Sequence, residues 1–507
     1  MQFHKVQSIN NVPSYWLTRF VILRLLGIVY AIAFLAAINQ VVPLIGSQGL
    51  LPVNLFVQSA EKIYGSTGSA FWHLPSIFWF AYSDSFLLGA AWVGFVLSLV
   101  VAVGFANIPL LTALWFLYMS FVHIGQDWYG YGWEIQLLET GFLAIFLCPL
   151  LDMRPFPRSG PPKIIIVLFR WLIFRIMLGA GLIKIRGDEA WRKGTALYYH
   201  FETQPIPGPL SRWLHFLPRW MLQAGVWYNF LAELVAPWFV FWPRFGRHIA
   251  GIVIVGLQIF LITSGNLSFL NWLTIIPALA CFDDGFWSVI LPRPLVGVSA
   301  RAIARSVDSK PMNTRAWIVT VIIAILSIQP VINMLSADQI MNTSFNPLEL
   351  VNTYGAFGSV GRERLNIVFE GTEEDLSDSS HWKEYAYKGL PVSPYQRPPQ
   401  IAPYHLRLDW QLWFAAMSSP EEYPWTMNLI WKLLHNDPAA LGLFAGNPFP
   451  VRPPRFVRAI LYRYRFAIPG NPEKKWWDRD RIGEWIPAVS TTDLRLQEIM
   501  KKEGWQR

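Results

Sequence analysis

Charged and aromatic side chains crowd against the end of one apolar segment, which begins at Ile164. Lys184 lies at its end and Arg175 lies nine residues earlier, deeper in the same apolar run. A lysine desolvated among helices has its ammonium form disfavoured, so it can serve as a base. Lys184 is therefore the candidate catalytic residue. The sequence leaves open the alternative that Lys184 only extends its amine to water from the end of the segment.

Carboxylates in other apolar segments are candidate partners for these cations. Glu233 lies in "VWYNFLAELVAPWFVFW" with Asn229 one turn before it, and Glu134 and Glu139 lie in "WEIQLLETGFLAIFL". An unpaired charge in an apolar environment is costly, so these groups are expected to face one another or a wet cavity. We expect Glu233 to pair with Arg175. Purely structural clamps between helices are the competing interpretation.

The loop that follows, 186–224, supplies the remaining candidate binding residues. These are Asp188, Trp191, Arg192, Tyr198, Tyr199, His200 and Glu202. The four-residue spacing of Asp188 and Arg192 allows a helical ion pair of about 0.2–0.5 kcal/mol, so aromatic packing must also hold the loop. His200 stands alone, without an HxxxH or HExxH pattern or a Cys/His cluster. No metal and no cofactor is therefore predicted.

The composition indicates a membrane protein with many spans. Hydrophobic residues make up 53% of the 507 residues, charged residues only 15%, and 26 residues are tryptophan, which favours membrane interfaces. Membrane lipid is thus an expected partner. The net charge of +9 is explained by Lys and Arg in short cytoplasmic loops, so no nucleic-acid partner is expected.

About nine apolar segments are long enough to be considered as spans, within a helical transmembrane domain at 1–340. They are 17–39, 84–104, 107–123, 134–151, 164–185, 225–242, 248–264, 267–281 and 315–335. Basic residues in the loops 152–163, 243–247 and 282–314, together with Lys5, place the N-terminus in the cytoplasm. An odd number of spans then puts the rest of the chain on the non-cytoplasmic side.

After residue 340 the composition becomes that of a soluble α+β domain, 341–507, which we predict to be sandwich-like. Alternating or β-rich runs predict strands at 363–372, 382–389, 455–468 and 483–489. Helical spacing of large apolar residues predicts helices at 408–417 and 427–437. Arg407 and Asp409, at the start of the first of these helices, are expected to form a structural pair.

Three stretches of the chain resemble the lipase maturation factor family. They are "GLIKIRGDEAWRKGTALYYHFETQPIPGPLSRWLHFLP" with "NFLAELVAPWF", then "NTYGAFGSVGRERLNIVFEGT", then "APYHLRLDWQLWFAA" with "NPFPVRPPRFVRAILYRYRF". The resemblance implies a chaperone-like role in maturing secreted clients, lipases of the lipoprotein-lipase class among them. It also implies an endoplasmic reticulum membrane in a eukaryote, with a lumenal C-terminal domain. In a bacterium, the cytoplasmic membrane would take that place.

A shorter stretch, "AGLIKIRGDEAWRKG", looks like the lysine-containing region of the vitamin K-dependent γ-carboxylases. That likeness implies that Lys184 is a catalytic base, with Asp188 and Trp191 at the family's aspartate and tryptophan positions. The rival function is therefore a membrane enzyme that acts on an amphipathic substrate. Transport is a weaker alternative, since no inverted repeat or pair of broken helices is evident in the sequence.

Overall fold

The protein's fold is described by a computed structural model for residues 13–505. Within these residues, five helices are long and apolar enough to cross a membrane. They are Trp16–Ile45, Asp84–Val103, Lys163–Arg186, Arg244–Ser264 and Lys310–Leu335. A sixth crossing exists if Leu270–Cys281 and Asp284–Ile290, which meet at a bend of 118°, form one broken span. The N-terminal Lys5 lies outside the described residues.

The prediction of nine spans is wrong, because several apolar runs fold into helices that are too short. Ile108–Ile124 has 17 residues and Gly132–Ile145 has 14, whereas a crossing takes about 20 residues. The run predicted as 225–242 is divided into Arg219–Phe230, a π-helical turn at Leu231–Val235, and Ala236–Phe239. Hydropathy marks an apolar segment without reporting where its helix breaks.

Shorter helices complete the N-terminal half. Those not yet given are Val53–Tyr64, Thr67–His73, Glu189–Arg192, Leu197–Thr203, Ser211–His215 and Arg293–Ala304. Short 3₁₀ turns lie at Ile77–Trp79, Gln126–Tyr129 and Leu279–Cys281. The segment predicted as the loop 186–224 contains three short helices before Arg219. None of the three is longer than seven residues.

The basic loops gather at one end of the helical bundle. Arg19 donates to the Ser159 carbonyl over 2.9 Å, which ties the first helix to the loop before Lys163–Arg186. Arg247 donates to Asp283 over 3.1 Å, and Asp284 accepts from the backbone N–H of Leu17 over 2.7 Å. Segments far apart in sequence therefore meet at the same end as the start of the first helix.

The C-terminal region contains one antiparallel sheet of four strands, in the order β2-β1-β3-β4. The strands are β1 Arg364–Thr372, β2 Lys383–Glu384, β3 Phe456–Phe466 and β4 Trp477–Val489. Its α-helices are Arg407–Ala415, Trp425–Leu434, Pro438–Leu441 and Leu494–Lys502, with a 3₁₀ turn at Pro420–Glu422. The region is thus α+β, but the expected sandwich is wrong, because helices and the bundle cover the sheet in place of a second sheet.

The C-terminal region is docked on the end of the bundle opposite the basic loops. Gln40, near the end of the first helix, donates to the His405 carbonyl over 2.7 Å. Asn266 accepts from the backbone N–H groups of Ile401 and Ala402 over 2.6 and 2.8 Å. One cluster of buried apolar side chains extends from the bundle into this region. The two parts therefore share a core.

The expected pair between Arg407 and Asp409 does not form. Arg407 donates to Glu134 of the bundle over 2.8 Å, and both side chains are fully buried. Asp409 instead accepts from the backbone N–H groups of Gly389 and Leu390 over 2.7 and 3.0 Å. Residues two apart on a helix do not face each other, so Arg407 and Asp409 contact separate partners.

Candidate functional site at the junction of bundle and C-terminal region

Lys184 lies buried in the bundle and forms an ion pair with Glu233. Asn229 connects the pair, because its amide donates to the second Glu233 oxygen over 2.8 Å and its carbonyl accepts from Lys184 over 3.4 Å. Only 4% of Lys184 is exposed, so its amine does not reach water as an interfacial anchor would. The three side chains form a closed polar cluster in an apolar setting.

The π-helical turn at Leu231–Val235 places Glu233 against Lys184. Such turns insert one residue into a helix and frequently occur at functional sites. The facing helix approaches closely at Gly181, where an added Cβ would lie 2.5 Å from Leu234 Cδ2 and 3.1 Å from Glu233 Cβ. A side chain at position 181 would therefore clash with Leu234 and crowd Glu233 beside Lys184.

Arg175 does not pair with Glu233, so that expectation is wrong. It forms an ion pair with Glu139 and donates to the Asn352 carbonyl over 2.8 Å. Glu139 also accepts from the Tyr354 hydroxyl over 2.7 Å. Arg175 lies more than two helical turns from Lys184 along the same helix, so the two cations reach different carboxylates at different depths.

Trp191 and His200 lie beside the Lys184 cluster. Lys184 Nζ is 5.0 Å from the centre of the Trp191 ring, and Trp191 donates its indole N–H to the Phe357 carbonyl over 2.8 Å. The His200 ring stands edge-on to Phe357 at 5.2 Å between ring centres. Burial, aided by the charge of Lys184, lowers the pKa of His200 to about 4, so His200 is neutral at ordinary pH.

Asp188 ties the loop to the C-terminal region. It accepts two hydrogen bonds from Arg362, of 2.8 and 3.0 Å, and one from the Val360 N–H of 3.0 Å. It also caps the helix Glu189–Arg192 by accepting from the Ala190 N–H over 2.8 Å. The hydrogen bonds from Arg362, above all, hold the pKa of Asp188 down to about 2.

The predicted pair between Asp188 and Arg192 is absent. Arg192 is exposed and donates to the carbonyls of Ile185 and Gly187 over 2.8 and 3.3 Å. Asp188 is the residue before the helix, so its side chain turns back to cap the first turn and meets Arg362 from another part of the chain. Two residues spaced four apart face each other only when both lie inside the same helix.

Of the remaining loop candidates, Tyr199 and Glu202 contact the C-terminal region, whereas Tyr198 contacts Arg219 within the loop. Tyr199 lies under the Arg362 guanidinium at 4.7 Å, and Tyr198 under that of Arg219 at 5.7 Å. Glu202 accepts from the Phe466 N–H over 2.7 Å, and burial raises its pKa. Tyr199 and Glu202 thereby hold the loop against the C-terminal region.

Two adjoining cavities lie at this junction. The smaller, of about 80 Å³, is lined by Lys184, Trp191, His200, Asn229 and Glu233 among others. The larger, of about 280 Å³, lies between the bundle, the segment 354–359 and the helix Arg407–Ala415. The cavities have five wall residues in common, which are Ile176, Ala180, Leu270, Ala356 and Phe357.

Sequence reasoning did not identify the residues of the larger cavity. Its aromatic wall includes Tyr131, Trp133, Trp410, Trp413 and Phe414. The three-residue spacing of Trp410 and Trp413 places them on one helix face, but the same spacing is common in ordinary cores. The wall comes from segments almost 280 residues apart, so only the fold brings it together.

Paired charges dominate the chemistry of this junction. Three buried cations at this junction meet carboxylates, in the pairs Lys184–Glu233, Arg175–Glu139 and Arg407–Glu134. An amine engaged in such a pair is not free to remove a proton from a substrate. The geometry thus suits the cohesion of the bundle and the seating of the C-terminal region more than it suits a reactive base.

The fold and the junction define a class of protein, an integral membrane protein whose α+β C-terminal region is docked over one end of a helical bundle. Family comparison assigns residues 17–289 to the lipase maturation factor transmembrane domain and residues 350–487 to the lipase maturation factor C-terminal domain. No solved structure matches the chain.

Curated relatives match over nearly the whole chain. Lipase maturation factor 1 of Mus musculus is 45% identical over 97% of this chain and 90% of its own length. That of Bos taurus is 45% identical over 95% and 90%. Lipase maturation factor 2 of Xenopus laevis is 28% identical over 94% and 83%. The chain belongs to the lipase maturation factor family.

Proposed function

We propose that this chain is a membrane-embedded maturation factor that helps secreted lipases reach their folded or assembled state. The observation that carries the proposal is the 45% identity to Lipase maturation factor 1 of Mus musculus across 97% of the chain. Identity to the factor 2 relative is only 28%, so the factor 1 type of activity is the better supported. The γ-carboxylase alternative has no support among these relatives.

The C-terminal region is proposed to lie on the non-cytoplasmic side, which is the lumen of the endoplasmic reticulum in a eukaryotic cell. The support is the position of the basic loops 152–163, 243–247 and 282–314 at the other end of the bundle. Arg19, Arg244 and Arg247 contact their partners at that end, and the positive-inside rule favours that end for the cytoplasm. Secreted clients fold on the opposite side, where the C-terminal region is docked.

The loop 186–224 is proposed to keep the C-terminal region seated on the bundle during this work. Asp188 forms an ion pair with Arg362, and Trp191 donates a hydrogen bond to the Phe357 carbonyl. Further along the loop, Glu202 accepts a hydrogen bond from the Phe466 N–H. The candidate site residues are thus proposed as positioning residues, with Lys184 and Glu233 stabilising the helix ends that carry the loop.

Association with a lipase tests this function. The full chain would be expressed with a secreted lipase of the lipoprotein-lipase class, crosslinked reversibly in intact microsomes, and isolated. A secreted non-lipase protein expressed at the same level is the control. We expect the lipase to be recovered with the chain well above the control protein. Equal recovery of the two proteins would contradict the proposal.

A further inference from the structure

A third cavity, of about 470 Å³, lies at the basic end of the bundle, away from the C-terminal region. Its wall comes from the segments 160–164 and 306–313, together with Trp16 and Trp317. These residues belong to the starts of three membrane helices or directly precede them. The cavity therefore lies at the level where lipid headgroups meet a membrane protein, with tryptophan on two sides, as is common at that level.

The exposed cations around this cavity have no carboxylate partner. Lys163 lies in the wall, and Arg158, Arg305 and Lys310 lie within the two wall segments or within two residues of them. All four side chains are exposed. Among residues 13–505 none of them forms an ion pair, in contrast to the buried cations at the junction with the C-terminal region. These charges are available to an anionic group at the membrane surface.

A further cation is buried directly behind the wall. The guanidinium carbon of Arg19 is 4.9 Å from the centre of the Trp16 ring, which lines the cavity. Arg19 is 1% exposed and donates to the Ser159 carbonyl over 2.9 Å, but it forms no ion pair within the described part of the chain. A buried charge is screened less than an exposed one, so Arg19 adds to the positive potential at the cavity.

One negative charge opposes these cations. Asp308 is the only carboxylate that the described residues place in the wall, and it accepts from the Asn313 amide over 2.9 Å. Asp308 and Lys163 do not form an ion pair with each other, although both line the cavity. The charged residues that flank the wall segments, Arg158, Arg305 and Lys310, are all basic. The balance of charge therefore favours an anionic ligand.

An apolar stripe on the last membrane helix begins at the cavity. Trp317 lines the cavity and is 59% exposed, and Val321 and Ile325 follow at steps of four residues, 57% and 60% exposed. Residues four apart lie on the same face of a helix. The stripe therefore continues from the cavity along the outside of Lys310–Leu335. A soluble anion would contact only the cavity, whereas a phospholipid would contact the cavity with its headgroup and the stripe with an acyl chain.

We propose that this cavity binds the headgroup of one anionic phospholipid, with an acyl chain along the stripe of Trp317, Val321 and Ile325. Lys163 would contact the headgroup phosphate, and Trp16 and Trp317 would flank it. The proposal requires that Lys310–Leu335 crosses a membrane, but it does not require the lipase-maturation function, so the two can fail separately.

The first test titrates the detergent-purified full chain with phosphatidylserine or with phosphatidylcholine of the same acyl chains, and native mass spectrometry counts the bound lipid. We expect phosphatidylserine to bind more tightly, and its advantage to shrink as salt is raised, because salt screens exposed charges. Glycerophosphoserine, which is the headgroup without acyl chains, should not displace it at equal concentration. Equal binding of the two lipids, or displacement by the headgroup alone, would overturn the proposal.

Two variants of opposite sign test the charges of the wall. Lys163→Gln should weaken phosphatidylserine binding about 5-fold, the effect of one basic residue beside an anionic headgroup. Asp308→Asn keeps the shape of the side chain and should strengthen binding. Lys62→Gln is the matched control, because Lys62 is also exposed and, among residues 13–505, forms no ion pair, but it does not line the cavity. Equal effects of Lys163→Gln and Lys62→Gln, or weaker binding by Asp308→Asn, would overturn the assignment.

The position of the lipid is tested with a phosphatidylserine whose acyl chain carries a photoactivatable diazirine and an alkyne. Crosslinked peptides of the full chain are identified by mass spectrometry, and we expect label in 312–325. Label confined to the outward-facing apolar groove between Leu231 and Val253 would contradict the proposal, since the wall of that groove has no charged residue among the described residues.

Discussion

The charges of Lys184 and Glu233 are stable in the bundle only together. Removing one member leaves the other charge buried without a partner and costs about 3–5 kcal/mol. Replacing both members is often near neutral. We therefore expect Lys184→Met and Glu233→Leu each to lower the thermal unfolding temperature of the detergent-purified chain strongly. The double variant should recover most of the loss, which a double-mutant cycle measures.

The control for this cycle is a pair of the same type on the surface. Lys193 and Glu189 form an ion pair in which both side chains are more than 60% exposed. Lys193→Met should leave the unfolding temperature close to that of the parent chain, because water screens an exposed pair. Strictly additive losses at positions 184 and 233, or equal effects at 184 and 193, would contradict the account of the buried pair.

His200 should make the stability of the chain depend on pH. Its pKa is lowered to about 4 in the folded state by burial and by Lys184, against about 6.5 in the unfolded chain. The neutral form is favoured on folding, so this stability is full above pH 6.5 and is lost as pH falls towards 4. The slope in that window is at most about 1.4 kcal/mol per pH unit.

Unfolding measured between pH 7.5 and pH 4.5 checks this, with His200→Gln as the comparison. The variant should start less stable and lose less stability across the window, because glutamine does not titrate. Parallel pH profiles for the variant and the parent chain would show that His200 does not carry the effect.

At the scale of single residues, the sequence predicted which side chains would be buried and polar but not which would meet. Arg175 and Glu233 are buried, as expected, and Lys184 is buried as well, although the sequence also allowed its amine to extend to water. Their pairing depends on helix rotation and on the π-helical turn, neither of which hydropathy encodes. The partner of Arg175, Glu139, was visible in the sequence only as one of several carboxylates.

At the scale of elements, the joint between the loop and the C-terminal region depends on Asp188. Arg362→Ala removes an ion pair that is partly exposed and should cost about 0.2–1 kcal/mol. Asp188→Ala also removes the helix cap, worth typically about 1 kcal/mol, and leaves the Val360 N–H without its acceptor. We expect Asp188→Ala to be clearly the more destabilising of the two, as measured by chemical or thermal unfolding.

Protease sensitivity of the 186–224 loop provides a second readout for the same variants. Asp188→Ala should expose the loop to cleavage at protease concentrations that leave Arg362→Ala intact. If the two variants unfold and are cleaved alike, the capping and backbone contacts of Asp188 do not contribute as described.

Elements with a strong local pattern were predicted well, and elements that depend on length or partners were not. The alternation in 363–372 and 455–468 matches β1 and β3 within two residues at each end. By contrast, 382–389 was predicted as a strand, yet β2 contains only Lys383 and Glu384. Beyond β2, Tyr385 and Tyr387 still donate to β1 carbonyls, but Lys388 and Gly389 bond to residues outside the sheet, and a sequence pattern does not distinguish these neighbours.

At the scale of the whole molecule, the orientation across the membrane is open to a direct test. The native Cys148 and Cys281 are buried, so labelling reports on introduced cysteines. Arg158 lies in the basic loop and Ser379 in the C-terminal region, and both are exposed. In cells with a selectively permeabilised plasma membrane, an impermeant maleimide should label Arg158→Cys at once and Ser379→Cys only after detergent. The reverse pattern would contradict the proposed orientation.

The central claim is that this chain makes lipases active, and the specific activity of a secreted lipase tests it most directly. The cells would lack their own lipase maturation factors and would receive this chain, Mus musculus Lipase maturation factor 1 or an empty vector. Lipase activity per unit of secreted lipase mass is measured in the medium. The account predicts that this chain raises that ratio well above the vector and towards the mouse protein. A ratio equal to the vector, with the chain present in the membrane at the level of the mouse protein, would contradict it.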